Sequence, residues 1–404
     1  MCSSDLHLRL RASYARVGGD LEPFQLKNTY ISGSQWNGQT PLYTSSELKD
    51  ANIKPEFSSS AEFGMDARFL NNRIGFDLCY FIAEDGPQIF SLSTPVSSGY
   101  TTRLVNGLTY TRRGFEFTVN STPIKTKNFE WNLSANLSQS HRYLKSVYDG
   151  IENYGYIKKG ERVDQIWVTD FMRSPDGKII YKDGLPVRDT YDQHIGNSDP
   201  DFIYGLYNEL KFNNVSISFS LDGNIGGLIY NDISASLWKS GRHEDSDNQW
   251  RLADWEAYKA DPEGYGTTYK GTFIGEGVVV TSGTLERDAN GNVISDTRTF
   301  APNTTPILYQ AWAGSSNGYY RTESQTYQNR SYIKLRDVTI TYQLPQNIIK
   351  RMGVIKSGSI SLVGRNLLYF SKAEFLDLDQ FSGGSSQLQT PSTRNFGINI
   401  NATF

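Results

Sequence analysis

The 404 residues carry 40 basic and 43 acidic side chains, a formal net charge of −3, which excludes the global basic footprint of a nucleic-acid binder. Hydrophobic residues make up 38% and aromatics 13%, yet no stretch approaches the roughly 18 uncharged apolar residues that a membrane helix requires. Cys2 and Cys79 are the only cysteines, which leaves neither a disulfide framework nor a metal-ligand spacing.

The chain starts MCSSDLHLRLRASYARVGG, entering a strand pattern almost at once with no signal peptide. CSSDL looks like the translation of a sequencing-adapter tail, so residues 1–6 are expected to be an artefact, and the missing leader then says nothing about compartment. From His7 onward, strand-like alternation recurs about ten times. In HLRLRASYARVG, Leu8, Leu10, Ala12 and Tyr14 oppose Arg9, Arg11 and Ser13. EFGMDARFL sets Phe63, Met65, Ala67 and Phe69 against Glu62, Asp66 and Arg68. After an Asn71-Asn72 turn, RIGFDLCYFI sets Ile74, Phe76, Leu78, Tyr80 and Ile82 against Arg73, Gly75 and Asp77, so the two runs read as a hairpin.

A second hairpin presents Phe115, Phe117 and Val119, then Phe129, Trp131, Leu133, Ala135 and Leu137, with Glu116, Thr118, Asn120, Asn132, Ser134 and Asn136 behind. A third turns at Asn213-Asn214 and sets Val215, Ile217, Phe219 and Leu221 against Ser216, Ser218, Ser220 and Asp222. SYIKLRDVTITYQLP, the short amphipathic connection QNIIKRMGVIK and GSISLVGRNLLYF lead to TRNFGININATF. There Phe396, Ile398, Ile400, Ala402 and Phe404 alternate with Asn395, Gly397, Asn399, Asn401 and Thr403. Period two dominates, so the fold is all-β and antiparallel.

The connections run long (18 to 58), short (71 to 72), long (84 to 112), short (123 to 127), long (141 to 200), short (213 to 214), long (227 to 329), modest (344 to 357) and longer (371 to 392). A sandwich has no cause for this rhythm. A transmembrane β-barrel does, with tight periplasmic turns on one rim and long external loops on the other. A strand of about 11 residues at ~3.3 Å each, tilted near 40°, rises about 28 Å, enough for the apolar band. Unpaired edges in hydrocarbon would cost several kcal/mol per backbone group, so about ten strands either close a small barrel or form part of a larger one. Phe117, Trp131, Leu133, Phe219 and Ile398 are expected to face lipid in one band.

With these segments laid out, the sequence resembles the C-terminal portion of a TonB-dependent outer-membrane receptor of the SusC/RagA family. The carrying residues are RRGFEFTVNSTPIKTKNFEWNLSANLS (112 to 138), IGNSDPDFIYGLYNELKFNNVSISFSLDGNIGGLIYN (195 to 231), SYIKLRDVTITYQLPQNIIKRMGV (331 to 354), SISLVGRNLLYF (359 to 370) and the closing TRNFGININATF. The resemblance implies the last ten or so strands of a larger plugged barrel in the cell outer membrane. It further implies energised import of oligosaccharide or peptide, with a SusD-like surface lipoprotein as lid and the TonB complex acting through an N-terminal part. Signal peptide, TonB box and plug are not visible, so residues 7–404 are expected to be a truncated barrel part that could not transport by itself. No cofactor is expected.

The loop from Leu228 to Gln328 holds Trp238, Trp250, Trp255, Tyr258, Tyr265, Trp312, Tyr319 and Tyr320. Such rings stack on sugars and serve as rigid anchors, which makes the loop a candidate substrate site; self-packing of a long loop would use the same residues. The four histidines, His7, His141, His194 and His243, show no metal-ligand spacing. His243 lies beside Glu244, Asp245 and Asp247, which reads as a solvated acidic loop and is also the only foothold for an alternative, a small outer-membrane barrel enzyme. SPDGKIIYKDG reads as hairpin turns, and DANGNVISD as a tight Asn290-Gly291 turn rather than a calcium loop, because its glycine is fourth instead of sixth. Phe404, an aromatic closing an alternating strand, is expected to be a recognition signal for the outer-membrane insertion machinery, or else an interfacial aromatic.

Overall fold

The computed structural model describes residues 6–50, 52–380 and 392–404, so the segment 1–6 expected to be an artefact lies outside the described residues except for Leu6. Ten long strands follow one another: β1 (His7–Gly19), β2 (Glu56–Phe69), β3 (Ile74–Ser93), β4 (Thr102–Lys125), β5 (Phe129–Ser146), β6 (Phe202–Phe212), β7 (Val215–Ile225), β8 (Tyr332–Gln343), β9 (Ser357–Ser371) and β10 (Asn395–Thr403). Each pairs antiparallel with the next, giving a meander. Among the described residues β1 and β10 each pair on one side only, so the sheet is open at both ends. The two-residue strand Glu47–Leu48 adds in parallel beside β4.

Alternation fixes the register across the wall. Leu8, Ala67, Phe76, Val119, Ala135, Leu206, Leu221, Leu335 and Leu368 are successive cross-strand partners from β1 to β9. On the opposite side, Arg9, Asp66, Asp77, Thr118, Asn136, Gly205, Asp222, Lys334 and Tyr369 are partners in the same way. A one-residue slip would exchange the two faces, so this pattern holds the sheet in register. The apolar side is open: Leu10 is 72% exposed, Phe63 57% and Ile398 71%. A water-soluble sandwich would bury that side against a second sheet.

Turn chemistry closes one rim. Leu70, Asn71 and Asn72 all take positive φ (52, 56 and 63°) between β2 and β3, and Asn213 does so (49°) between β6 and β7. Asparagine visits this left-handed region at little cost. Residues 126–128 join β4 to β5 on the same rim, and the helix α4 (Gln346–Met352), preceded by Pro345, lies in the connection between β8 and β9.

On the opposite rim the expected long connection from 84 to 112 is corrected. β3 and β4 stay paired up to Ser93 and Thr102, so only eight residues, 94–101, form the loop and the hairpin projects as a tall ribbon. The register shifts between Asp85 and Gln88, around Gly86-Pro87, and again between Gln88 and Ile89. Such bulges, one at a proline that cannot donate to the ladder, break the period-two pattern without ending the strand. The other three connections on this rim are long, at 20–55, 147–201 and 226–331, and a fourth follows β9.

Candidate functional site

The loops 147–201 and 226–331 fold together into one cap. Helix α1 (Asp232–Ser240) starts at Asn231, whose side chain accepts from the Ser234 N–H, and stops at Gly241 in the left-handed region (φ 67°). Helices α2 (Gln249–Ala260) and α3 (Tyr309–Gly314) pack nearby: Asp254 of α2 is buried and accepts from the Tyr309 N–H at 2.7 Å and from the Tyr269 hydroxyl at 3.0 Å. The cap has its own core of Tyr181, Trp238, Tyr309, Trp312 and Ala313. Tyr181 comes from the first loop and the other four from the second. Arg188 Nε donates to Thr322 Oγ1 at 3.2 Å and Ser324 Oγ to Asp170 at 2.6 Å, tying the loops together again.

Between these loops lies a cavity of about 580 Å³, lined by Arg173, Lys178, Tyr181, Phe273, Glu276, Trp312, Tyr319 and Tyr320 among others. The Tyr319 ring stacks on Trp312 (4.9 Å between centroids) and on Phe171 (4.8 Å). Trp312 Nε1 is buried, with the Tyr181 hydroxyl near it. Burial pushes the Tyr181, Tyr319 and Tyr320 hydroxyls above their ordinary value, so all three are neutral donors at physiological pH. Aromatic walls with Arg173, Lys178 and Glu276 among the lining suit a ring-bearing polar ligand.

The predicted aromatics divide three ways. Trp312, Tyr319 and Tyr320 line the cavity. Trp238 serves the cap core instead, sandwiched between His243 (4.1 Å) and Tyr320 (4.0 Å), while Trp250 is 36% exposed and meets Phe273 edge-on at 5.2 Å. Trp255 stands on the outside of α2, 54% exposed, stacked on Tyr258 under Lys259. Arg173, Lys178, Tyr181, Phe273 and Glu276 were not singled out in the sequence. One signal was available: a Cβ on Gly275 or Gly277 would lie 2.4 or 2.7 Å from the Tyr181 ring, so the GEG run marks a backbone pressed flat on an aromatic.

A second cluster joins the cap to the segment after β9. His243 Nε2 faces Glu374 Oε2 at 3.1 Å, and its Nδ1 accepts from the Asp245 N–H at 3.2 Å. Glu374 Oε2 also accepts from Ser234 Oγ (2.7 Å) and Gln328 Nε2 (3.2 Å). Burial raises the Glu374 carboxyl, but these donors outweigh it and hold the group below its ordinary value. Ile229, Ile233, Ala373, Leu376 and Leu378 pack beside it. The two ring nitrogens of His243, the foothold of the catalytic alternative, are thus both occupied within the chain. Beneath, on the polar face of the wall, buried Lys334 meets Asp379 at 2.9 Å, and Arg336 clamps Asp222 and Asp379. No local spacing marks this cluster, since Lys334 and Arg336 meet Asp379 across 45 and 43 positions.

Phe117, Trp131, Leu133 and Phe219 are half-buried by cross-strand neighbours and share one side of the sheet with Ile398. Phe404 is 72% exposed, and its carbonyl accepts from Lys356 Nζ at 3.1 Å.

No family model matches the chain. It is 22% identical over 446 residues to TonB-dependent receptor P26 of Formosa agariphila, across 98% of this chain and 40% of that protein. It is 24% identical over 303 residues to TonB-dependent receptor SusC of Bacteroides thetaiotaomicron, across 67% of this chain and 30% of that protein. Among solved structures, the RagAB peptide transporter superposes with a TM-score of 0.66 at 16% identity, covering 98% of this chain and 41% of that one. The RagAB peptide importer in its open-open state gives 0.68 at 16% identity, covering 100% and 41%. The chain therefore spans about two-fifths of the first relative it matches. Fold and relatives agree with an outer-membrane receptor of the SusC/RagA kind.

Proposed function

We propose that this chain, SusC/RagA-like in sequence and fold, supplies wall and external cap to a TonB-dependent importer of oligosaccharide or peptide. The observation that carries the reading is the two-sidedness of the ten-stranded sheet: apolar partners predominate in rows on one face and polar partners on the other. Lipid covers the first face, with Phe117, Trp131, Leu133, Phe219 and Ile398 in the band, and a wet lumen meets the second. The free sides of β1 and β10 pair with further strands of a larger barrel, because open backbone edges in hydrocarbon cost several kcal/mol per group.

Substrate meets the cap at the cavity of Tyr181, Trp312, Tyr319 and Tyr320. A SusD-like surface lipoprotein closes over it, and the TonB complex supplies the energy. The names of the relatives support these assignments: one is a SusC, and the RagAB structures are described as a peptide transporter and importer. The test is uptake by whole cells of labelled oligosaccharides and peptides, with and without a protonophore, in the wild type, a gene deletion and Tyr319→Ala. Uptake that is lost on deletion and on de-energising, and reduced in Tyr319→Ala, supports the reading. Recovery of the protein in the soluble fraction, or uptake indifferent to its deletion, sinks it.

A further inference from the structure

The apolar side of the sheet changes character with height. Leu10, Met65, Leu78, Phe117 and Leu137 form one row across β1 to β5, and Ala12, Phe63, Tyr80, Phe115 and Gln139 form the next above it. The third row brings Tyr14, Ala61, Ile82, Arg113 and His141, and the fourth Arg16, Ser59, Glu84, Thr111 and Tyr143. Arg113 pairs with Ile82, eight residues above Ile74 at the turn rim. Eight steps of ~3.3 Å, tilted near 40°, lift it about 20 Å, close to the top of an apolar band about 25 Å tall.

Arg113 is exposed, and its guanidinium lies over the Tyr143 ring at 4.3 Å. Among the described residues it has neither a hydrogen bond nor a carboxylate partner. Two adjoining grooves share Arg113 and Tyr143. The upper one, about 310 Å³, is also lined by Thr111 and Lys145, whose ammonium pairs with the half-exposed Glu84. The lower one, about 260 Å³, is lined by Tyr80, Phe115 and Gln139. A cationic groove therefore opens directly above an aromatic one, on the face that meets lipid.

We propose that these two grooves form one binding site for a phosphorylated glycolipid of the outer leaflet, its phosphate held by Arg113 and Lys145 and its first acyl carbons laid on Tyr80 and Phe115. Arginine suits phosphate because its planar fork donates two parallel hydrogen bonds, and Tyr143 holds that fork ready. Height selects the occupant: a soluble anion would find the cations but have no use for the aromatic groove beneath. The inference rests on the reading that this face meets lipid.

The test uses the protein purified from outer membranes in mild detergent and incubated with diphosphorylated lipid A or with the same lipid A after phosphatase treatment. Retained lipid is counted by native mass spectrometry. Wild type retains the phosphorylated form roughly tenfold better, the Arg113→Gln/Lys145→Gln double variant loses the preference, and Arg112→Gln, which faces the other side, keeps it. A wild-type measurement needs no variant: the preference falls as salt rises. Equal retention of the two lipids, an unchanged preference in the double variant, or a salt-independent preference overturns the site. A protein absent from the outer membrane fraction overturns the lipid-face reading itself, so the two failures are distinct.

Discussion

Single residues on the wall are judged by which face they occupy. Leu133 and Asn132 are sequence neighbours on opposite sides. Leu133→Arg therefore costs about 2 to 4 kcal/mol if it lies near the bilayer middle, whereas Asn132→Arg is mild, as read by urea unfolding in lipid vesicles. Asn208 is a polar residue on the apolar side, and its Oδ1 accepts from Trp131 Nε1 at 3.1 Å. Trp131→Phe leaves that oxygen unpaired and costs about 1 to 3 kcal/mol, while adding Asn208→Leu restores most of the loss. In the cap, Glu374 is held below its ordinary value of 4.5 by its donors once they outweigh burial. A depressed carboxyl contributes stability that is present above 4.5 and lost as pH falls through the lowered value. Protection of the α1 amides, taken relative to the exchange rate of an unstructured peptide at the same pH, is expected to be high at neutral pH and to fall once pH drops below the lowered value, and Glu374→Ala removes that pH dependence.

At the scale of elements, strands and turns follow local chemistry. The turn between β2 and β3 needs three consecutive residues with positive φ, and two are asparagines. Asn72→Gly is expected to be neutral, and Asn72→Val to cost about 1 to 2 kcal/mol in the same unfolding assay, because a β-branched residue cannot enter that region cheaply. The alternating strand segments, the short turns and an amphipathic connection at QNIIKRMGVIK were legible because each is encoded within a dozen residues, although only the structure shows that connection to be a helix. The tall β3–β4 ribbon was not. Its bulges at Asp85 to Ile89 interrupt alternation while hydrogen bonding continues, and a reading by period sees a loop there. Inward-facing charges on neighbouring strands are matched rather than random: Asp66 and Asp77 sit directly opposite, each neutralised by its own arginine, Arg68 and Arg11.

For the whole molecule, the cap is expected to behave as one unit, since its core draws Tyr181 from one loop and Trp238, Tyr309, Trp312 and Ala313 from another. Trp312→Ala, which removes a buried ring worth about 3 to 5 kcal/mol, loosens both loops together; limited proteolysis cutting only within 226–331 would contradict this. By itself the sequence determined the wall: two-faced strands, their number, the tight rim and the exposed apolar side, because each follows from a period of two and from turn residues close in the chain. Only the tertiary structure decided which loop aromatics face a cavity and which form a core. It also decided that His243 is a strut, that Lys334 is buried against Asp379, and that Arg113 lies over Tyr143 above the aromatic rows. Arg188 and Thr322 meet across 134 positions and Ser324 and Asp170 across 154, and no local pattern specifies partners so far apart.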